Sequence, residues 1–147
     1  MRAISDHLRP VQLLAPQVQT ATLTSLVLDT QGWDVAAFLL NVGAPGGGGL
    51  SGSNKIVPKI QHSDTLTEAG FTDAAAATYQ DRLWQDLDSA TAGSRAQFVA
   101  YTGTKRYLRI VLTVTGTVSV PLAVTGLLGG PQKVVAGLPD VGLAIPT

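Results

Sequence analysis

The residues best suited to acid–base and nucleophilic chemistry are few and widely separated. Cysteine is absent, and the only histidines are His7 and His62. A nucleophilic site needs a nucleophile, a base and an orienting group within hydrogen-bond reach of one another. The segment 49–53 (GLSGS) shares a serine and a glycine with a nucleophile elbow, but Ser53 stands where the second glycine belongs. We therefore expect ordinary surface histidines and no enzymatic activity.

The same glycine-rich segment has the glycine spacing of a phosphate-binding loop. Gly47 and Gly52 are separated as in a P-loop. However, Ser53 and Asn54 occupy the positions of the Lys and Ser/Thr that contact phosphate and magnesium. Residues 43–54 are therefore predicted to form a flexible surface loop, and no cofactor is expected.

Three carboxylates in one stretch supply the oxygen ligands that calcium prefers. Asp64, Glu68 and Asp73 nevertheless lack the alternating positions and the terminal Glu of an EF-hand loop. Solvated loop acids are the simpler interpretation, so we expect no metal site.

The aromatic residues Trp33, Trp84 and Tyr101 are of the type on which sugars stack. Nothing in the sequence fixes them to one face. Trp33 follows a turn and opens a predicted strand, where an aromatic side chain more often fills the core.

The charge content is low and balanced. Charged residues make up 14% of the chain and hydrophobic residues 45%, with a formal net charge of zero, whereas about 25% charged is usual. Direct binding to nucleic acid is not expected, because no basic surface is indicated. No apolar run approaches the roughly 20 residues of a membrane-spanning helix, and the charged residues near the N-terminus argue against an export signal. The composition predicts that apolar surface is buried against partner chains.

Alternating apolar and polar residues with Gly-rich turns predict an all-β fold, an antiparallel sandwich of the jelly-roll type. The stretch 72–87 departs from this pattern. Its alanines and helical spacing favour a short helix, and a loop with an edge strand is the open alternative. The predicted strands are 19–29, 33–42, 55–62, 96–101, 105–115 and 118–124.

The strongest alternation lies in two neighbouring stretches. Residues 108–114 and 118–124 each place an aliphatic side chain at every second position and are separated by a turn at Gly116. We expect them to pair as an antiparallel hairpin at the centre of the sandwich.

The two ends of the chain are predicted to be extended arms. Residues 1–18 contain Pro10 and Pro16 and show no sustained periodicity, and residues 132–147 mix glycine, proline and aliphatic residues. The sandwich domain is therefore assigned to 19–131. We expect the arms to lie across neighbouring subunits and to bury the following partner-binding residues: Leu13, Leu14, Val134, Val135, Leu138 and Ile145.

Three stretches resemble a group of small proteins encoded in the head-gene region of tailed phages and prophages, regarded as capsid decoration or auxiliary head proteins. They are residues 28–34 with Phe38, residues 58–64 and, most strongly, residues 101–111 (YTGTKRYLRIV). The resemblance covers 23–131 and brings no catalytic residues with it. It implies assembly, as homotrimers at capsid symmetry points.

The C-terminal stretch departs from that group. Its members often end soon after a turn like Gly129-Gly130-Pro131, with a short basic tail. Here the tail is longer and largely apolar, with Lys133 as its cation, which leaves its docking partner open.

These observations predict a non-enzymatic virion structural protein, made in the host cytoplasm and located on the capsid surface. The expected partners are further copies of the chain and the major capsid protein or a neighbouring virion subunit, with no nucleic acid and no membrane. Two alternatives remain open: a carbohydrate-binding or adhesion module on the virion surface, and a head–tail connector or tail component.

Overall fold

The computed structural model describes residues 7–47, 49–80, 84–89, 95–131 and 142–146. Within them, two antiparallel sheets pack face to face, so the predicted all-β sandwich is confirmed. The strands are β1 (Leu8–Gln19), β2 (Leu23–Thr24), β3 (Leu28–Asp29), β4 (Trp33–Val42), β5 (Lys55–Ser63), β6 (Thr72–Asp73), β7 (Tyr79–Gln80), β8 (Arg95–Tyr101), β9 (Tyr107–Thr115) and β10 (Val120–Pro131).

The strands divide between two sheets of different order. Sheet A has the order β1-β10-β4-β8-β7. Sheet B has the order β2-β9-β5-β6, and β3 also pairs with β9. Neighbours in sequence are therefore mostly not neighbours in a sheet, and the long strands β4, β5, β9 and β10 form the two facing walls of the core.

Strand β4 shows how the sequence determines the sandwich. Its alternate residues Ala36, Phe38, Leu40 and Val42 are buried, while Asn41 is exposed, as the alternation predicts. Strand β9 of sheet B contributes its own buried residues Leu108, Ile110 and Leu112 to the same core. One apolar face of each sheet thus covers the other, at the roughly 10 Å separation typical of stacked sheets.

The predicted hairpin is wrong, although its inward faces are right. Strand β9 pairs with β5, β2 and β3, whereas β10 pairs with β1 and β4 in the other sheet. Gly116 has a φ of 69°, and a Cβ there would lie 2.4 Å from the carbonyl oxygen of Ser53. The chain therefore crosses between the sheets at this glycine, and both strands contribute buried residues to the shared core.

The predicted helix over 72–87 is also wrong for the described residues of that stretch. The chain forms β6, a 3-10 turn at Ala76–Thr78 and β7. Tyr79 is the first residue of β7, and its Oη accepts a hydrogen bond from the Ile60 N–H at 3.2 Å. The open alternative, a loop with an edge strand, describes this region, because pairing with β5 and β8 outweighs the helix propensity of the alanines.

The first eighteen residues are not an arm over their described length. Strand β1 pairs with β10 from Leu8 to Gln19 and forms an edge of sheet A, so the sandwich begins well before residue 19. Register shifts near Leu14 and Gln17 break its alternation, which is why the sequence pattern did not predict it. The single strand predicted over 19–29 is instead divided into the short strands β2 and β3.

Two phenylalanines on opposite faces of sheet A test this assignment. Phe38 has none of its surface exposed, and Phe98 is 53% exposed. We expect Phe38→Ala to lower the free energy of unfolding by about 3–5 kcal/mol, because it leaves a cavity in the core. Phe98→Ala should change it by less than about 1 kcal/mol. Urea unfolding of dilute protein measures both values, and equal losses would contradict the assignment.

Candidate functional site

The outer face of sheet A is the side turned away from sheet B. Because side chains alternate along a strand and cross-strand partners share a face, the buried positions of β4 and the pairing register define its members. These are Leu8, Pro10, Gln12 and Val18 on β1, Pro121, Ala123, Thr125, Leu127 and Gly129 on β10, Val35, Ala37, Leu39 and Asn41 on β4, and Ala96, Phe98 and Ala100 on β8.

No residue of this outer face is charged. Within the described chain, the exposed large hydrophobic residues are Leu8, Val18, Val35 and Phe98, with exposed fractions of 43%, 57%, 50% and 53%. All four belong to the outer face. A soluble protein rarely keeps a contiguous apolar surface of this kind unless it binds something there.

The pairing register joins these residues into continuous rows across the sheet. One row runs from Thr125 through Leu39 to Phe98, and the next runs from Pro10 through Leu127 to Ala37. With strands about 4.8 Å apart and a rise of about 3.4 Å per residue, the outer face of the four strands has a footprint of roughly 500 Å². Within that footprint Ala37 and Ala100 are buried between their larger neighbours, and the exposed apolar surface is supplied mainly by Leu8, Val18, Val35 and Phe98.

The few charged residues of the described sheet A strands lie near strand ends, at positions that alternate with those of the outer face. Arg9 pairs with Leu128 and Arg95 pairs with Val42, and both partners are buried inner positions. Asp34 lies next to the first residue of β4. Charge is therefore kept to the rim of the outer face.

The exposed side of sheet B has the opposite character. Lys59 Nζ lies 2.8 Å from a carboxylate oxygen of Asp73, and Lys55 Nζ lies 3.0 Å from Asp86. Charged and hydrogen-bonding groups of this type keep a surface hydrated. The two outer surfaces of the sandwich thus differ: one is ionic and one is apolar.

Arg109 is the most strongly held of the cations on sheet B. Its guanidinium donates to both carboxylate oxygens of Glu68 at 2.7 Å and to Gln61, and it lies 4.2 Å from the centre of the Phe71 ring. The hydrogen bonds from Arg109 lower the pKa of Glu68. The arrangement satisfies a nearly buried cation within the subunit and presents no open donor to a ligand.

A second ion pair closes the end of the sandwich near β3. Arg106 donates to both carboxylate oxygens of Asp29 at 2.8 and 2.7 Å, and the Gln31 N–H donates to the same carboxylate. Burial raises the pKa of Asp29, but these hydrogen bonds outweigh it and leave the pKa below its ordinary value. The carboxylate is therefore ionised at neutral pH and holds the 29–32 turn to the start of β9.

A shallow groove adjoins one end of the outer face. It has a volume of about 880 Å³ and is lined by Val18, Asn41, Ala96, Pro121 and other residues at the ends of β1, β4, β8 and β10. Val18 lies beside it because β1 bulges after Gln12 and again before Gln17. The groove extends the apolar patch and gives it a concave rim.

The structure separates the predicted partner-binding residues. Leu13 is only 1% exposed and belongs to the core, so its predicted role as a partner contact is wrong. Leu14 is half-buried and packs against the same core. Ile145 is half-buried in the described segment 142–146. The other predicted contacts lie outside the described residues: Val134, Val135 and Leu138.

Two of the three aromatic residues considered for sugar stacking come together. Trp33 and Tyr101 line a pocket of about 280 Å³ with Asp34 and Lys105, whereas Trp84 is buried in the core. The Tyr101 hydroxyl lies 2.7 Å from the His62 Nδ1 and accepts a hydrogen bond from the Lys105 N–H at 3.3 Å. Tyr101 is thus already engaged beneath the pocket.

The two histidines differ in environment. Burial and the Lys105 ammonium lower the pKa of His62, with Asp64 opposing them. His62 is therefore neutral at pH 7. His7 is exposed at the start of the described chain.

Each of the acidic residues considered as a calcium ligand forms an ion pair with a different basic residue. Asp64 contacts Lys105, Glu68 contacts Arg109 and Asp73 contacts Lys59. Among the described residues, no group of three or more His, Cys, Asp or Glu side chains is placed to hold a metal ion. The same part of the chain contains no helix long and apolar enough to span a membrane.

Phe98, Val35 and the outer positions of β10 were not among the partner-binding residues predicted from the sequence. A signal was present, since Pro121, Ala123, Thr125 and Leu127 alternate with the buried residues of that strand and none is charged. An outward strand position normally carries polar or charged residues. When neither the inward nor the outward positions of a strand carry charge, the pattern indicates that both faces of the sheet are covered.

The Asp29–Arg106 pair gives a pH-dependent prediction. Because the folded-state pKa of Asp29 lies below its unfolded value of about 3.9, the pair stabilises the fold above that pH, and the contribution is lost as the pH falls through the folded pKa. We expect Asp29→Asn to cost about 1 kcal/mol at pH 7, as for a partly exposed charged hydrogen bond. The difference from wild type should shrink below pH 4.

Denaturant unfolding between pH 7 and pH 2 measures this difference. Asp88→Asn removes an exposed carboxylate and serves as the control, with an expected change within about 0.5 kcal/mol. A gap between Asp29→Asn and wild type that stays constant down to pH 2 would contradict the role assigned to the ionised carboxylate.

No protein-family model and no curated protein matches the chain. No residue role is therefore transferred from a relative. Function is inferred from the contrast between the ionic surface of sheet B and the uncharged outer face of sheet A.

Proposed function

We propose that the chain is a non-enzymatic structural subunit of a tailed-phage particle, a capsid decoration protein that binds other copies of itself and the capsid lattice. The observation that carries this proposal is the uncharged outer face of sheet A, where Phe98, Val35, Leu8 and Val18 are about half exposed. Burial against protein is the ordinary fate of such a face. The resemblance of residues 101–111 to auxiliary head proteins supports the choice of partner.

The energetics suit repeated contacts on a lattice. Each Å² of apolar surface that a partner covers contributes about 25 cal/mol before other terms are counted. Association costs about 4–15 kcal/mol in lost translational and rotational freedom, so a single contact is of modest strength. On a regular shell, neighbouring contacts reinforce one another, and modest contacts then give stable occupancy.

The two-sided character of the sandwich also fits a surface layer. A subunit on a shell has one side against protein and the other against water. Sheet A supplies the apolar side, and the Lys55, Lys59 and Arg109 ion pairs supply the hydrated side. A cryo-EM map of the intact particle distinguishes this location from a head–tail connector or a tail component.

A charge placed in the centre of the outer face tests the proposal. Phe98→Lys should weaken self-association and particle binding at least tenfold, because burying an unpaired ammonium is costly. Thr24→Lys places the same charge on an exposed position of sheet B and is the matched control. Mass photometry and particle co-sedimentation measure both effects, with circular dichroism as the check on folding. Equal binding by a folded Phe98→Lys variant and wild type would overturn the proposal.

Sugar binding is the second candidate, and the shared pocket of Trp33 and Tyr101 is the observation that favours it. A Trp ring beside a carboxylate and an ammonium has the stacking and hydrogen-bonding groups that recognise a saccharide. Under this alternative, glycan-array binding is seen with wild type and lost in Trp33→Ala, while Phe98→Lys retains it. Absence of glycan binding by the wild-type protein rejects the alternative.

A further inference from the structure

A side-chain hydrogen bond joins the two sheets at one end of the sandwich. His62 lies near the end of β5 in sheet B, and Tyr101 is the last residue of β8 in sheet A. The Tyr101 Oη lies 2.7 Å from the His62 Nδ1, and the two rings meet edge to face with their centres 5.8 Å apart. Tyr101 is buried and His62 is partly buried, so water competes little for this hydrogen bond.

The chain that follows β8 folds back over the Tyr101 hydroxyl. We call residues 102–106 the latch loop. The Lys105 N–H donates a hydrogen bond to the Tyr101 Oη at 3.3 Å. A Cβ on Gly103 would lie 2.8 Å from the Tyr101 Cε2, so the backbone of the loop packs directly against the phenol ring. The hydroxyl therefore holds the middle of the latch loop.

The two ends of the latch loop have anchors of their own. The Thr102 N–H donates to the Thr78 carbonyl at 2.8 Å, and the Arg106 carbonyl accepts hydrogen bonds from the Thr30 N–H and Oγ1 at 3.0 and 2.9 Å. These bonds do not involve the Tyr101 hydroxyl. Loss of the contacts at the hydroxyl would therefore leave both ends in place and free the middle of the loop.

The hydrogen bonds at the hydroxyl require a neutral imidazole. A tyrosine hydroxyl has one proton to donate, and its oxygen can accept. Here the oxygen accepts the Lys105 N–H, so the proton is available for the lone pair of the His62 Nδ1. In a protonated histidine both ring nitrogens carry hydrogen and only donate. The Tyr101 hydroxyl then loses its acceptor, and its oxygen faces two competing donors.

The charges around His62 also act on its protonation. Burial and the Lys105 ammonium keep the pKa of His62 below its ordinary value of 6.5, with the Asp64 carboxylate opposing them. The strand partners of His62 are uncharged: Leu108 of β9 and Thr72 of β6. Since the pKa is lower in the folded protein, the hydrogen bond is complete at neutral pH and is lost as the pH falls through that pKa, on the acid side of 6.5.

We propose that the Tyr101–His62 hydrogen bond is a latch that holds the 102–106 loop closed over this end of the sandwich and releases it when His62 takes up a proton. The latch loop contributes Gly103, Thr104 and Lys105 to the wall of the 280 Å³ pocket beside Trp33. Acid therefore opens this pocket. The latch uses no residue of the outer face of sheet A, so its test is independent of the proposed function.

Amide hydrogen exchange of the wild-type protein, measured by NMR at pH 7.5 and pH 5.0, tests the latch. After correction for the intrinsic pH dependence of exchange, the protection of the Lys105 amide should fall about threefold or more at pH 5.0, because protonation favours the open loop. The amides of β4 and β10 should keep their protection, as expected for a local opening. Equal protection of the Lys105 amide at both pH values would overturn the proposal.

The His62 ring gives a second measurement on the same sample. The NMR titration of its ring and the chemical-shift change of the Lys105 amide should have the same midpoint, because one proton drives both. His7, next to the start of β1, is the internal control, and its titration should leave the Lys105 amide unaffected. A Lys105 amide that follows a midpoint other than that of His62 would contradict the latch.

Two variants separate the hydrogen bond from general sensitivity to acid. His62→Asn retains an oxygen acceptor close to the Nδ1 position but takes up no proton in this pH range, so the protection of Lys105 should no longer depend on pH. Tyr101→Phe keeps the ring and removes the hydroxyl, so protection at pH 7.5 should already be as low as in wild type at pH 5.0. His7→Asn is the matched control and should behave as wild type.

Circular dichroism checks that the variants are folded. A folded His62→Asn protein that loses as much Lys105 protection at pH 5.0 as wild type would overturn the proposal. If either variant fails to fold, the two wild-type measurements still decide the question, because they require no substitution.

Discussion

Burial of the inner face of sheet A against sheet B is the interaction on which the rest of the molecule depends. Phe38, Leu40 and Val124 of sheet A are fully enclosed there and share one core cluster with Ile110 of sheet B. Covering one side of a sheet leaves the other side exposed, and in sheet A that side carries no charge. The same packing that holds the fold together therefore leaves the uncharged outer face exposed, and the proposed function rests on that face.

The sequence predicts faces better than it predicts neighbours. The alternation in β4, β5 and β9 identified each strand within about two residues and identified its buried side. The period of two carries no information about which strand lies alongside, so β9 and β10 were assigned to one hairpin although they belong to opposite sheets. The decisive feature is the tight crossing at Gly116, which depends on contacts with Ser53 and Asn54, distant in sequence.

The candidate site was predictable in kind but not in place. Low charge content predicted apolar surface that is buried against partner chains, and the described residues include exposed apolar side chains on sheet A. Locating that surface requires knowing that β1, β10, β4 and β8 lie side by side, because its rows are built from residues more than eighty positions apart, such as Leu39 and Thr125. Strand β1 was the most deceptive part, since Pro10, Pro16 and its bulges conceal an edge strand.

Residues 142–146 tie the two sheets together within the chain. Gly142 donates its N–H to the Gln12 carbonyl in β1, and Leu143 exchanges two backbone hydrogen bonds with Val27, just before β3. A Cβ on Gly142 would lie 2.7 Å from the Leu13 Cδ2, so this close approach depends on glycine. Apolar packing in the core is not directional, whereas hydrogen bonds are. The short segment therefore holds the edge of sheet A in a defined position against the edge of sheet B.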